Sequence, residues 1–192
     1  MEEVIELIET YGYIVIVISL FLGVVGIPAP EESLMFLIGL LIGYGHLNLT
    51  LCIILSLGSV YSGMLIAYAV GRWLGHPFLQ RFGKFIGLTE KRLTVVRTGY
   101  KRNAIKMIVV SMFVPGIRQL SPYMAGISGM LFKRYVVYAF IATVVWVIPF
   151  LIAGRILGTV FHIEPKVAPY IGIGFGVVFI SYFLWKKLRK GS

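Results

Sequence analysis

Long apolar stretches set the first limit on what this chain can fold into. Four of them approach the roughly 20 residues that a helix needs to cross a bilayer: 11–27, 47–70, 135–153 and 167–185. Inside a bilayer no water can satisfy backbone N–H and C=O groups, so an apolar stretch that crosses must be helical. The sequence therefore predicts an all-α, polytopic membrane protein with four main transmembrane helices.

Composition supports a membrane class over a soluble one. Of the 192 residues, 58% are hydrophobic and only 14% are charged, which is far from the usage of soluble domains. The formal net charge of +10 does not indicate nucleic-acid binding, because the basic residues fall between apolar stretches rather than on one soluble face. The single cysteine, Cys52, excludes an internal disulfide.

The basic residues instead indicate orientation. Residues 72–106 carry nine Lys or Arg against one acid, Glu90, which predicts a cytoplasmic segment by the positive-inside rule. We interpret it as amphipathic helices on an anionic leaflet, where each basic residue adds about 1 kcal/mol of attraction; a solvated basic loop is the simpler alternative. The basic tail at 186–190 belongs on the same side, so both termini are expected in the cytoplasm.

One shorter stretch near the amino terminus combines helix breakers with charge. Pro28 and Pro30 end any helix arriving from the first span, and Glu31 and Glu32 open a short apolar run. A run of this length does not cross a bilayer, so we predict a re-entrant hairpin over about residues 28–45. The alternative for the two acids is an interfacial cap, since the dipole at a helix start favours negative charge.

A second stretch has the same character and is expected to enter from the opposite side. A short apolar run is broken at Pro115 and Gly116, carries Arg118 and turns again at Pro122, which predicts a second hairpin over about residues 104–130. Opposed hairpins within one membrane domain indicate an inverted-repeat, transporter-like fold that binds substrate where broken helices meet. Sequence identity between the two halves is not evident, so this symmetry rests on hydropathy.

Arg118 is the main candidate for binding a ligand. A charge at membrane depth costs at least about 2.5 to 3.5 kcal/mol, and the planar guanidinium matches phosphate oxygens. Half-helix amino termini at Pro30 and Pro122 add backbone N–H groups. Glu32 or Glu31 either holds Arg118 in the empty site or binds a lipid amine or a coupling proton. The structural alternative for the arginine is snorkelling to the interface.

Weaker candidates for a polar path are four side chains near Arg118: Gln119, Ser121, Tyr123 and Ser111. Each could simply satisfy the backbone that the breaks expose, which is the commoner role. The three histidines lack metal-ligand spacing, so neither a metal nor another cofactor is expected.

Three motifs combine prolines, glycines and charged residues at fixed spacing. They are Pro28-x-Pro30-x-Glu32-x-Leu34 followed by Gly39, Gly63-x4-Tyr68-x2-Gly71-Arg72-x2-Gly75, and Phe113-x-Pro115-x2-Arg118-x3-Pro122-x2-Ala125-Gly126. Together they resemble the DedA family of bacterial membrane proteins, part of a wider group that includes eukaryotic VTT-domain lipid scramblases, and the similarity covers about residues 10–160. The resemblance implies four main spans with two opposed re-entrant helices, and transport of a lipid such as undecaprenyl phosphate or phosphatidylethanolamine, often tied to the proton gradient.

The chain departs from the family pattern at two positions. Many members carry an acid after the first glycine of the second motif, where this chain has Met64, and an arginine ahead of the proline-arginine core, where the equivalent position lies near Ser111. Fewer fixed positive charges suit a phosphate that brings its own amine. We therefore expect a zwitterionic cargo such as phosphatidylethanolamine rather than undecaprenyl phosphate.

Two other classes of function compete with lipid translocation. A membrane lipid phosphatase needs a nucleophile or base beside the arginine, and neither hairpin offers a recognisable pair, so no catalytic residue is expected. A proton or ion carrier with indirect effects on lipids fits the same charges. The expected partners are a lipid headgroup, protons and the bilayer of the cytoplasmic membrane. An oligomer is compatible with the sequence, and no nucleic-acid partner is expected.

Overall fold

Six helices make up the described part of the chain. The structure, a computed structural model, describes residues 2–27, 31–82, 90–114 and 116–160. All regular elements in these ranges are helices, which confirms the predicted all-α class. They are α1 Glu2–Val25, α2 Glu31–Gly43, α3 Leu49–Phe82, α4 Glu90–Met112, α5 Ile117–Ile127 and α6 Phe132–Val160.

Within the described residues, two stretches of helix are long and apolar enough to cross a membrane. They are Leu49–Gly75 within α3, and α6 from Phe132 to Val160, which correspond to the second and third predicted spans. The apolar part of α1, Tyr11–Val25, is shorter. The predicted fourth span, 167–185, lies outside the described residues, so the count of four spans stays a prediction.

Residues with non-helical backbone angles divide the chain around the predicted second hairpin. Gly116 (φ 80°) precedes α5 and has the positive φ that favours glycine. Asn103 (φ −155°, ψ 77°) kinks α4, and its Oδ1 accepts a hydrogen bond from the Lys106 N–H at 3.2 Å, which caps the second half of α4. Residues 104–112 and α5 are therefore the two helical segments of the region predicted to form the second hairpin.

The lengths of α2 and α5 agree with half-crossing segments. At 1.5 Å per residue, their 13 and 11 residues extend about 20 and 17 Å, well short of a hydrocarbon core of about 30 Å. Their path through a membrane remains a prediction.

The described chain divides into two compact units. The first contains α2 with the parts of α1, α3 and α6 in residues 2–16, 49–55 and 147–160. The second contains α4 and α5 with the parts of α1, α3 and α6 in residues 17–25, 56–82 and 132–146.

In the first unit, α2 packs against the end of α6 through glycines. A Cβ added to Gly39 would collide with the carbonyl oxygen of Leu151, and one added to Gly154 would lie 3.0 Å from the carbonyl carbon of Phe36. The two backbones therefore touch directly, as small residues allow in membrane helix pairs.

This packing explains why α6 is longer than predicted. The predicted span ended at residue 153, but residues 154–160 continue the helix. A Cβ added to Gly158 would lie 3.0 Å from the Leu40 side chain, and the Tyr44 hydroxyl donates to the Gly158 carbonyl at 3.3 Å. The apolar stretch is interrupted at Arg155, but contact with α2 and the turn after it stabilises the helix beyond that point.

In the second unit, α5 packs on α3 in the same manner. A Cβ added to Gly126 would collide with the carbonyl oxygen of Tyr68 and would lie 2.6 Å from the backbone nitrogen of Arg72. A Cβ added to Gly71 would lie 2.7 Å from the Cα of Tyr123. Both glycines are buried, and neither has room for a side chain.

Tyrosines join α6 to α3 in this second unit. The rings of Tyr68 and Tyr135 stack with centroids 4.2 Å apart. The Tyr135 hydroxyl donates to the Met64 carbonyl at 3.1 Å, and the Tyr61 hydroxyl donates to the Val136 carbonyl at 3.3 Å. These bonds avoid the cost of about 1–3 kcal/mol that a buried unsatisfied polar group carries.

Replacing Gly126 with alanine should destabilise the protein by about 1–3 kcal/mol, as at other overpacked sites, because the new methyl group meets backbone atoms that cannot rotate away. Thermal unfolding of the purified protein in detergent, followed by circular dichroism, measures the effect. Gly58→Ala is the matched control in α3, since a Cβ there meets nothing within 4 Å. Equal melting temperatures for the two variants would contradict this packing.

Candidate functional site

Arg118 lies in the first turn of α5, which begins directly after Gly116. Its side chain is only 2% exposed, and its backbone N–H donates to the Val114 carbonyl at 2.9 Å. The guanidinium carbon lies 4.7 Å from the centroid of the Trp146 ring. Such a cation–π contact is worth about 0.5 to 2 kcal/mol, more when water is excluded.

The other predicted polar residues of this unit mostly form hydrogen bonds with the protein's own backbone. Ser111 is buried and donates to the Ile108 carbonyl at 2.7 Å. Tyr123 is half-buried and donates to the Val25 carbonyl at 2.5 Å. Gln119 is half-buried beside Arg118. For Ser111 and Tyr123 the structure thus shows the backbone-satisfying role.

Ser121 joins α5 to α4. Tyr100 is buried, and its hydroxyl donates to the Ser121 carbonyl at 2.9 Å and lies 2.9 Å from Ser121 Oγ. Burial raises the pKa of Tyr100 to about 12, although the hydrogen bond with Ser121 acts in the opposite direction. The hydroxyl therefore stays protonated at neutral pH and can keep donating to α5.

The two predicted acids belong to the first unit and differ in burial. Both lie in the first turn of α2, where the helix dipole favours negative charge. Glu31 is 0% exposed, whereas Glu32 is half-buried. Of the two, only Glu32 presents part of its side chain to the surroundings.

The predicted hinge residues have mixed outcomes. Pro28, Pro30 and Pro115 lie outside the described residues. Gly116 marks a break as predicted, with its positive φ before α5. Pro122, expected to start a half-helix, instead lies inside α5. The break at Gly116 already starts the helix six residues earlier, and Pro122 within it has no N–H to donate to the Arg118 carbonyl at i−4.

The glycine contacts reveal an internal repeat that hydropathy did not. Gly-Arg-x-Leu-Gly occurs at residues 71–75 and again at 154–158. The first glycine of each motif contacts the backbone of a short helix, α5 in the first case and α2 in the second. The short helices share aromatic-x-x-Gly at Phe36–Gly39 and Tyr123–Gly126. Aligning these glycines puts Pro28 at the position of Pro115 and Glu31 at that of Arg118.

Two residues near the site were missed from the sequence. Trp146 looked like one more apolar residue of a span, and Tyr100 like one more member of the basic segment. Tyr100 carried no signal that could have found it. The repeated Gly-Arg-x-Leu-Gly motif was visible in the sequence, and it would have supplied the register between the two halves.

Comparison with known proteins identifies the family. A family model described as the VTT domain matches residues 27–156. The chain is 38% identical to the uncharacterised membrane protein YbfM of Bacillus subtilis over 83% of this chain and 99% of that one. It is 31% identical to undecaprenyl phosphate transporter A of Staphylococcus aureus over 99% of this chain and 98% of that one.

Protein DedA of Escherichia coli is 29% identical over 81% of this chain and 74% of its own length. No solved structure matches the chain. The matched domain covers most of the sequence, including Glu31, Glu32 and Arg118. This membrane protein therefore belongs to the VTT-domain family, the family of DedA.

Proposed function

We propose that this protein translocates a phosphate-bearing membrane lipid across the cytoplasmic membrane. The observation that carries the proposal is Arg118, a charged residue 2% exposed at the start of a helix too short to cross. Relatives named as undecaprenyl phosphate transporters, from Staphylococcus aureus and Bacillus subtilis, support lipid transport as the class of activity.

Arg118 binds the lipid phosphate in this proposal. Stacking on Trp146 contributes about 0.5 to 2 kcal/mol, while a hydrogen bond to a charged group contributes about 1.5 to 3 kcal/mol. In this proposal the phosphate accepts two such bonds from the edge of the guanidinium while the Trp146 ring contacts its face.

Glu32 is the acid that faces cargo or protons in this proposal. It is half-buried and matches the acidic position of the first family motif, so a lipid amine or a proton can reach it. Glu31 is fully buried and is proposed to act as a fixed structural charge of the first unit.

Phosphatidylethanolamine is the favoured cargo. The second acid and second arginine of many family members are absent, and their positions hold Met64 and, nearby, Ser111. Both are buried, and the Ser111 hydroxyl bonds to its own helix. A chain with fewer fixed positive charges suits a phosphate whose headgroup brings its own amine. Undecaprenyl phosphate is the second candidate, favoured by the names of two relatives.

Arg118→Ala should reduce lipid translocation at least about tenfold, the equivalent of one lost charge-assisted hydrogen bond. The measurement is lipid movement in proteoliposomes, made in parallel with labelled phosphatidylethanolamine and with undecaprenyl phosphate. Arg118→Lys keeps the charge without the planar fork and should recover only part of the activity. Arg155→Ala, an exposed arginine at the end of α6, is the control.

Unchanged transport in Arg118→Ala would remove this residue from the mechanism. Faster movement of undecaprenyl phosphate would reverse the order of the two cargoes. A changed lipid product would instead indicate a phosphatase, and proton or ion flux without lipid movement would indicate a carrier.

Glu32→Gln should abolish most transport and its response to an imposed pH gradient, because it removes the reachable negative charge while keeping the shape of the side chain. Glu31→Gln is the matched control at the adjacent position. Glu31→Gln should mainly lower the melting temperature and should retain more transport activity than Glu32→Gln. The opposite pattern, with Glu31→Gln inactive and Glu32→Gln active, would assign cargo binding to the buried acid.

Both ends of the second hairpin should lie on the cytoplasmic side. Single cysteines at Arg102 and Leu131, both exposed, in a Cys52→Ser background, should react with an impermeant thiol reagent only in inside-out vesicles. Thr50→Cys, at the start of α3, should react only from outside. If Arg102→Cys and Leu131→Cys were labelled from opposite faces, the segment between them would cross the membrane completely and the re-entrant hairpin would be wrong.

A further inference from the structure

A cavity of about 550 Å³ lies in the second unit, away from the arginine that the proposed transport uses. It is formed where α4 kinks, where α5 passes into α6, and over the first two turns of α6. Neither Arg118 nor Trp146 lines it. Its lining includes Arg102, Asn103, Ser128, Leu131, Arg134 and Tyr138.

The charge of this cavity is positive. Two guanidinium side chains, Arg102 and Arg134, line it from different helices, and none of the lining residues that the structure describes is an acid. Both arginines are exposed, so their donors are accessible. Two such groups converging on one cavity match the oxygens of a phosphate, which guanidinium binds in bidentate fashion.

Neutral donors add to the same cavity. Because Asn103 interrupts α4, Ala104 and Ile105 begin a new nine-residue helical half, and both line the cavity. The first N–H groups of a helix are donors without helical partners and favour anions. Ser128 Oγ is shielded from solvent and, in the part of the chain that the structure describes, has no hydrogen-bond partner.

Apolar side chains beside the cavity indicate that the anion is part of an amphiphile. Leu131 lines the cavity and is 60% exposed, and the adjacent Phe132 is 53% exposed. A soluble anion gains nothing from such neighbours, whereas a lipid places acyl chains against apolar residues and its headgroup against arginines at the interface. The volume is also within the range of pockets that hold organic ligands.

We propose that this cavity binds the phosphate-bearing headgroup of an anionic phospholipid, as a site separate from the translocated cargo. Lipid bound there bridges α4 and the connection between α5 and α6. It therefore steadies the carboxyl end of the helix that carries Arg118 at its other end. The site requires no transport activity, so it stands or falls independently of the translocase proposal.

The test is binding of short-chain phosphatidylglycerol to the purified full-length protein in detergent, measured by thermal shift and by native mass spectrometry. The wild-type protein should be stabilised by phosphatidylglycerol and not by phosphatidylcholine. The double variant Arg102→Gln with Arg134→Gln should lose affinity for phosphatidylglycerol at least about tenfold. Lys133→Gln, which removes a neighbouring exposed charge that does not line the cavity, should bind as the wild type does.

Each other outcome overturns the proposal in a distinct way. Binding that survives in the double variant would exclude the two arginines. An equal loss in Lys133→Gln would show diffuse surface attraction rather than a site. Stabilisation by inorganic phosphate as strong as that by phosphatidylglycerol would make the ligand a free anion instead of a lipid. Where the double variant fails to fold, the single variant Arg134→Lys decides, because it keeps the charge and loses the planar fork: an affinity for phosphatidylglycerol below that of the wild type supports the site, and an unchanged affinity overturns it.

Discussion

Direct backbone contact at glycines is the constraint on which both units depend. Lipid tails are as apolar as leucine, so helices in a bilayer gain little from burying apolar surface and associate through close packing instead. Gly39 with Gly154, and Gly126 with Gly71, provide that packing for the two helices too short to cross. Glu31 precedes Gly39 by eight residues, and Arg118 precedes Gly126 by eight. Each charge is thereby held about 12 Å along its helix from a fixed contact.

The burial of Arg118 follows from this geometry and has an energetic consequence. Arg118 is only 2% exposed, and its guanidinium is held away from water. A hydrogen bond to a phosphate is stronger there than at an exposed arginine, because the local dielectric constant is lower. The same reasoning separates the two arginine sites. Arg118 is buried and suits a cargo that is bound and released, whereas Arg102 and Arg134 are exposed and suit a lipid that stays at the interface.

Hydropathy and helix breakers predicted the helical class, two of the spans and the break at Gly116, because these depend on local composition. They did not predict the extension of α6 past Arg155 or the place of Pro122 inside α5, because contacts with another helix decide both. For the same reason the backbone partners of Ser111 and Tyr123 become visible only in the folded chain. Arg118 and the paired acids stood out as candidates because a charge in apolar sequence is conspicuous without an alignment, and their roles stay predictions. Their difference in burial, which separates Glu31 from Glu32, follows from packing alone.

The internal repeat shows where the two units differ. Duplicated glycine contacts supply each unit with the same scaffold, and the position eight residues before the glycine of the short helix is Glu31 in one copy and Arg118 in the other. If the scaffold alone mattered, an apolar residue at either position would avoid a cost of at least about 2.5 kcal/mol. Glu31 lies in the first turn of α2, where the helix dipole favours a negative charge, whereas Arg118 lies at the same end of α5, where the dipole disfavours a positive one. The acid is therefore favoured by its own helix, and the arginine is retained against the dipole, which fits the phosphate-binding role proposed for it.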